Sequence, residues 1–359
     1  MNCIERYEAE GTASKISAFR IKQQLPYEQK VILAERRAKE YYREITGRGQ
    51  NVHVSVGGLD SITLLIFLRS IGLEDIPAVS VSCLEDKSIQ KIHKSLGVIP
   101  LKPLKSKVEV IREFGFPVLS KEIAGKIDLL QRPSDRNATV RHAIITGETG
   151  DYGGNRTGTR MKMPQKWLEL FGGYENENEG VNYQIAPFKV SDKCCYYLKE
   201  KPCDDYARKH NSVPYLGLMA SEGGRRQKSL MMHGCNYYGK TVTRSCPFAI
   251  FGRQDLLQLA LDLKVPVPEI YGGIVRDEDG TLRTTKAQRT GCSMCGFGIH
   301  LEKRPHRFDR LREENPAEWD FWMYRCAVDS ETGEPFGWGR VLDYIGVPYR
   351  AENVKDVVK

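Results

Sequence analysis

The sequence predicts an α/β fold, a parallel twisted sheet with helices on both faces, joined to a C-terminal region that contains paired cysteines. Three observations predict it. Residues Val52-His53-Val54-Ser55-Val56 alternate small and β-branched side chains, then meet the turn Gly57-Gly58-Leu59-Asp60-Ser61 and the apolar run Ile62 to Leu68, an order that reads as strand, tight turn and helix. A second strand pattern at Ala78 to Ser82 precedes a helical one at Lys87 to Leu96, so the elements alternate as in parallel sheets covered by helices. Finally, an adjacent pair, Cys194-Cys195, is matched far downstream by Cys292-Ser293-Met294-Cys295.

Taken in order, residues 1–50 form a helical segment, with Val31 to Tyr42 presenting a charged face. Residues 51–230 form the α/β domain, to which Ala143-Ile144-Ile145 and Pro214 to Leu218 add short buried strands. Loop-like stretches at Thr146 to Gly154 and Gly172 to Gly180 bracket an amphipathic piece around Lys166 to Leu170, together a lid over the site. Residues 231–359 form a helical and cysteine-pair region, with a tight hairpin at Asp279-Gly280 leading to the second cysteine pair.

Composition excludes several classes. With 40% hydrophobic and 28% charged residues in 359, the chain has an ordinary globular profile. No apolar run approaches the roughly 20 residues that span a bilayer, so a cytoplasmic protein without a membrane partner is expected. The opening Met1 to Arg6 is no charged-then-apolar leader, which argues against a secreted disulfide framework. A net charge of +8 suits a phosphate-bearing ligand or nucleic acid and proves neither.

The glycine turn carries the first chemistry. Amides at a helix start point outward and the helix dipole adds partial positive charge, so the turn suits phosphate. Gly57 and Gly58 permit close approach of a ligand, while Asp60 and Ser61 are expected to cap the helix, Ser61 also donating to a phosphate oxygen. Arg225-Arg226 with Lys228 adds guanidinium forks of the kind that grip phosphate or sulfate.

The cysteines carry the second. Adjacent cysteines clip a single zinc poorly, but each iron of a four-iron cluster needs only one sulfur. A [4Fe-4S] cluster on Cys194, Cys195, Cys292 and Cys295 is therefore the leading reading, with zinc as the alternative. Cys203, Cys235 and Cys246 remain spare, and His300 and His306 are secondary candidates as ligands.

The turn Gly57-Gly58-Leu59-Asp60-Ser61 resembles the pyrophosphate (PP) loop, Ser-Gly-Gly-x-Asp-Ser, of the adenine nucleotide α-hydrolase superfamily. With the cysteines, the chain resembles the phosphoadenosine phosphosulfate (PAPS) reductase family over roughly residues 50 to 300. Gly217 to Arg226 is similar to that family's Gly-x-Arg-x-x-Glu-Ser-x-x-Arg segment, implying that Gly217, Glu222, Arg225 and Arg226 contact the nucleotide. The cysteine set resembles the Cys-Cys … Cys-x-x-Cys signature of adenylylsulfate reductases. Pro247 to Phe251 with Gln254 to Leu257 resembles the segment that opens a late helix.

Departures mark the limits of the likeness. Val56 stands where the loop's first serine would be, and Met219 where an arginine would be. The family's Glu-Cys-Gly-x-His segment has no counterpart in the sequence given: Gly298-Ile299-His300 follows Phe297 instead of cysteine, and the last cysteine, Cys326, lies in an aromatic stretch expected to be core. Reduction of an activated sulfate needs a thiolate that attacks sulfur. The resemblance therefore implies an enzyme of sulfur metabolism with two candidate reactions, sulfonucleotide reduction as an oxidoreductase or ATP-dependent sulfur transfer as an AMP-forming transferase. ATP or a sulfonucleotide, with Mg2+, would be its substrate, and an external electron or sulfur donor protein its partner. Nucleic acid is the acceptor in a thiolation reading, and a non-catalytic zinc-stabilised nucleotide-binding module is the remaining alternative.

Overall fold

The computed structural model describes the backbone of residues 3–148 and 161–350; side chains at 3–10, 12, 179 and 225 lie outside that description. Two compact units emerge, Met1–Lys102 with Lys201–Cys292, and Pro103–Glu200 with Ser293–Lys359. Each is assembled from two separate stretches of chain, whereas the sequence reading divides the chain linearly near residues 50 and 230.

The first unit holds a six-stranded sheet. Its strands are β1 (Asn51–Ser55), β2 (Ala78–Ser80), β3 (Ile99–Pro100), β4 (Ser212–Leu216), β5 (Asn236–Tyr238) and β6 (Thr243–Ser245), in the order β3-β2-β1-β4-β6-β5. All neighbours are parallel except β5 and β6, which form an antiparallel hairpin at one edge. The sheet is thus mostly parallel, with an edge the periodicity did not announce. Its helices are α1 (Cys3–Gln23), α2 (Tyr27–Gly47), α3 (Leu59–Ser70), α4 (Lys87–Ser95), α5 (Lys201–Lys209), α6 (Gly224–His233) and α7 (Arg253–Asp262).

Alternation along β1 places helices on both faces. Val54 pairs in register with Tyr215 of β4, whose ring meets that of Tyr41 on α2 edge-on at 5.0 Å and whose hydroxyl donates to the Ala38 carbonyl at 2.7 Å. His53, one residue earlier and therefore on the opposite face, meets Tyr206 of α5. Helix α3 is apolar almost all round, burying Leu59, Ile62, Leu64, Leu65, Phe67 and Leu68, as expected of a helix closed over by neighbours. A small ladder, Ile274–Arg276 against Leu282–Thr284, follows α7, and its turn contains Gly280 at φ 84°, as the Asp-Gly step predicts.

The second unit is mainly helical. Helices Lys107–Phe114, Lys121–Leu130, Ala138–Thr146, Gln165–Phe171, Arg307–Glu314, Pro316–Tyr324 and Trp338–Ile345 surround a core that includes Phe116, Phe171, Phe188, Phe308 and Trp338. Two expectations are corrected. Ala143 to Ile145 lies in a helix, because a three-residue apolar run carries no period of its own and its neighbours supply the helical one. Ser82, assigned to a strand, opens a 3-10 turn after β2 ends at Ser80. Of the lid, Gly172 to Gly180 forms short ladder and turn structure, while Thr149 to Gly154 lies outside the described residues.

His53 supplies a test. It is fully buried, its Nδ1 lies 2.9 Å from the Ser212 hydroxyl, and burial, then His210, lowers its pKa to about 4. A base whose folded pKa lies below its unfolded value stabilises the fold fully above pH 6.5 and loses that contribution as pH falls toward 4. Between those limits His53 is expected to account for a loss of about 3 kcal/mol. Urea unfolding of wild type and His53→Gln across this range should show a shallower acid slope in the variant; equal slopes would remove His53 from the account.

Candidate functional site

Strand β1 lies between β2 and β4, and the chain leaves β1 toward β2 and later returns on its other side at β4. This makes the carboxyl end of β1 the point where strand order reverses, the place where open parallel sheets hold ligands. The turn Gly57-Gly58 stands there, between β1 and the start of α3.

The turn is already tied by hydroxyl groups. The Gly57 N–H donates to Ser61 Oγ at 2.7 Å, and that hydroxyl donates to the Gly58 carbonyl at 2.9 Å. The Leu59 N–H donates to the Tyr271 hydroxyl at 3.2 Å, which in turn is 2.7 Å from Thr290 Oγ1. His93 Nε2 contacts the Gly57 carbonyl at 2.8 Å. Gly58 is the residue that caps α3, with no side-chain cap, so Asp60 and Ser61 lie inside the first turn rather than ahead of it. Ser61 still satisfies an orphan amide, by reaching backward. Val56 is buried in the core, which explains an apolar residue at the end of the strand.

Two glycines are required by contact. A Cβ on Gly58 would overlap the Tyr271 hydroxyl, and one on Gly217 would stand 3.0 Å from Ser61 Cα and 3.1 Å from the Asp60 carbonyl. Gly217 therefore lets the segment after β4 press against the first turn of α3. Gly57 has no such constraint; its nearest neighbours would be at ordinary contact distance.

Charged side chains converge beside the turn. Asp60 is bonded to Arg253 at 2.7 Å. Burial pushes its carboxyl above the ordinary range, Arg253 offsets part of that, and Glu222 raises it further. Glu222, buried at its side chain, accepts from the Met219 N–H at 3.2 Å, pairs with Arg226, and has Arg289 at 3.8 Å. The fold thus gathers Gly57, Gly58, Asp60, Ser61, Gly217, Glu222 and Arg226 in one region, while the Arg225 side chain lies outside the described residues. Sequence patterns single out none of Arg253, Tyr271, Arg289 and Thr290. Only the start of α7 just after Gly252 hinted that Arg253 opens a helix.

Of the cysteines, Cys194, Cys195 and Cys295 belong to the second unit, and Cys292 is the last residue of the first. Cys194 is buried in the short helix Lys193–Cys195, which runs on as a π-turn, Tyr196–Glu200. Lys121 donates to Cys195 and, at 2.8 Å, to Glu200; burial works to lower its pKa, but these partners outweigh it and hold the ammonium above its usual value. Arg307 donates to the Cys295 carbonyl at 3.2 Å, Lys107 to the Ser293 carbonyl, and Ser293 to Glu318 at 2.7 Å. Met294 adopts a left-handed φ of 51° within this turn. Lys121 reaches a cysteine sulfur, whereas the bonds of Arg307 and Lys107 end on backbone carbonyls. Among the described residues no three His, Cys, Asp or Glu side chains are grouped as a single metal ion requires.

The secondary histidines have other work. His306 caps the helix Arg307–Glu314 through Nδ1 and contacts the Pro348 carbonyl at 3.0 Å through Nε2, so both ring nitrogens are engaged. His300 packs edge-on against Trp167, and its Nδ1 is buried without a hydrogen-bond partner. No helix among the described residues is long and apolar enough to cross a membrane. Compared with known proteins, the chain matches no protein-family model and no curated protein sequence.

Gly58→Ala is expected to cost roughly 1–3 kcal/mol of stability, since the new methyl must displace a buried tyrosine. In a Tyr271→Phe background the obstructing oxygen is gone, and part of that loss should return. Denaturant unfolding of the four proteins measures the coupling, expected at about 1 kcal/mol; strictly additive losses would refute the close contact.

Proposed function

We propose that the chain is an enzyme that binds the phosphates of an adenine nucleotide over the turn between β1 and α3 and carries out sulfur chemistry, the reading implied by its resemblance to the PAPS reductase family. The observation that supports it most is the position of Gly57-Gly58 at the strand-order reversal, with Asp60, Arg253, Glu222 and Arg226 beside it. A phosphate entering the turn would replace the Ser61 and Tyr271 hydroxyls as acceptor for the Gly57 and Leu59 amides, and Arg226 and Arg253 would exchange a carboxylate for a phosphate oxygen. Asp60 and Glu222 would face an accompanying Mg2+.

Between the two reactions, adenylation with AMP formation is favoured by the state of Cys326. Its thiol is fully buried, donates to the Trp322 carbonyl at 3.2 Å, and is pushed by burial up to about 12. Such a group is not the thiolate that reduction of an activated sulfate requires. In adenylation an acceptor oxygen attacks the α-phosphorus of ATP, pyrophosphate leaves, and sulfur from a donor protein later displaces AMP. The resemblance implies that Cys194, Cys195, Cys292 and Cys295 would hold a [4Fe-4S] cluster, although among the described residues no three His, Cys, Asp or Glu side chains are grouped to hold a metal ion.

With ATP and Mg2+ and water as the acceptor oxygen, hydrolysis to AMP and pyrophosphate is expected, and Asp60→Asn and Arg226→Ala should each slow it by roughly ten- to a hundredfold. Sulfite formation from an activated sulfate without pyrophosphate release would overturn adenylation. Protein prepared without oxygen should hold about four irons and four acid-labile sulfides per chain, a content that Cys195→Ser lowers. Stoichiometric zinc without sulfide would replace the cluster by a structural metal site.

A further inference from the structure

The chain's net positive charge belongs to one unit, and most of that excess lies in one stretch of it. The second unit holds 25 Lys and Arg against 25 Asp and Glu, so the net +8 belongs entirely to the first. From Gly223 to Gln254 there is no acidic residue, while Arg225, Arg226, Lys228, Lys240, Arg244 and Arg253 supply six cations. This stretch builds α6 and the β5–β6 hairpin, and β5 is the outermost strand of the sheet.

Rings are interleaved with the cations. His233 and Tyr237 lie with ring centroids 4.3 Å apart, Arg244 sits 6.0 Å from the Tyr237 ring, and Arg48 sits 5.0 Å from the ring of Tyr238. Tyr238, Lys228, Lys240, Val242 and Met232 are exposed. Glu40, Glu44 and Glu222 pair with Arg37, Arg48 and Arg226 respectively. Among the described residues none forms an ion pair with Lys228, Lys240 or Arg244, and Arg244 Nε is buried without a hydrogen-bond partner. Next to the hairpin, a cavity of about 300 Å³ opens between α1, α2 and the start of β5. Its apolar side is Phe19, Leu33, Pro247 and Ile250, and its charged side chains are Lys22, Arg37 and Glu40, the last two paired with each other.

We propose that this edge binds single-stranded nucleic acid, with phosphates on Lys228, Lys240 and Arg244, a base against Tyr238, and one unstacked base in the cavity. Cations alone would suit any polyanion. Aromatic faces between them, and a recess with room for a flat heterocycle on an apolar floor, suit bases that are free to leave a stack. A duplex keeps its bases paired and could use only the charges. Charge and ring geometry carry this inference, not the nucleotide reading, and the assay below omits ATP so that either can fail while the other stands.

The test is fluorescence anisotropy of the full chain with a labelled 20-nucleotide oligouridylate, with oligothymidylate as the DNA arm and the oligouridylate–oligoadenylate duplex as control. Single strands should bind with a log–log salt slope of about −2, as for about three phosphate contacts. Lys228→Glu combined with Lys240→Glu should weaken binding at least tenfold and flatten the slope. Tyr238→Ala should weaken it roughly tenfold at unchanged slope, whereas Tyr238→Phe, which keeps the ring, should not. Reversing Lys303 and Arg310, in the basic stretch of the second unit, should leave affinity unchanged. Absence of binding at 50 mM salt, wild-type affinity in the double reversal, equal affinity for duplex, or equal competition by polyglutamate at matched charge would each overturn the proposal.

Discussion

The pairing of β1 with a parallel neighbour on each edge is the constraint on which the candidate site depends. Val54 and Ser55 align with Ala78 and Val79 on one side, and residues 51–55 align with Ser212 to Leu216 on the other. A strand held on both edges cannot slip without breaking two ladders and exposing its buried residues. Gly57 and Gly58 are therefore delivered to a fixed point. The same register brings Leu216 level with Ser55, so the segment that follows β4 starts beside the turn that follows β1. Gly217 then allows that segment to approach within van der Waals contact of Ser61 and Asp60. Glu222 and Arg226 reach the site by a short run from that approach.

The turn itself is closed on its own hydroxyls. Ser61 and Tyr271 occupy amides that would otherwise point outward, and the two carboxylates hold the arginines nearest to them. The partners of the Gly57 and Leu59 amides are hydroxyls and those of Arg226 and Arg253 are carboxylates, oxygen acceptors as phosphate oxygens are. An unliganded turn with unsatisfied donors would pay a desolvation cost for every buried amide. These side chains remove that cost while leaving acceptors that a ligand can replace.

The two units divide the chemistry differently from the charge. Three of the four cysteines paired in the sequence lie in the second unit, where Lys107, Lys121 and Arg307 bond at or beside the cysteine turns and acids elsewhere match the cations to a net charge of zero. The first unit keeps the excess of cations and places it along α6 and the hairpin edge. Local neutralisation of thiolates needs single cations close by; attraction of a polyanion needs a field over many ångströms.

The sequence by itself determined the strand, turn and helix at Val52 to Leu68, the helix at Lys87, the α2 helix, the Asp-Gly hairpin and the burial of Cys326. Each of these is written in short-range terms, a period of two or 3.6, a glycine pair, a turn dipeptide. It also named Gly57, Gly58, Asp60, Ser61, Gly217, Glu222 and Arg226, because the turn and the Gly217 segment follow recognisable patterns. Only the tertiary structure decided that Ser61 reaches back to Gly57 instead of heading the helix, that Ala143 to Ile145 is helical, and that Arg253 and Tyr271 close on the turn from about 200 residues away. Those contacts depend on which strands pair and how far the chain travels before returning. The units themselves are discontinuous for the same reason: a strand pairs with whichever strand completes its ladder and core, and β1 finds that partner at β4, beyond the whole first segment of the second unit.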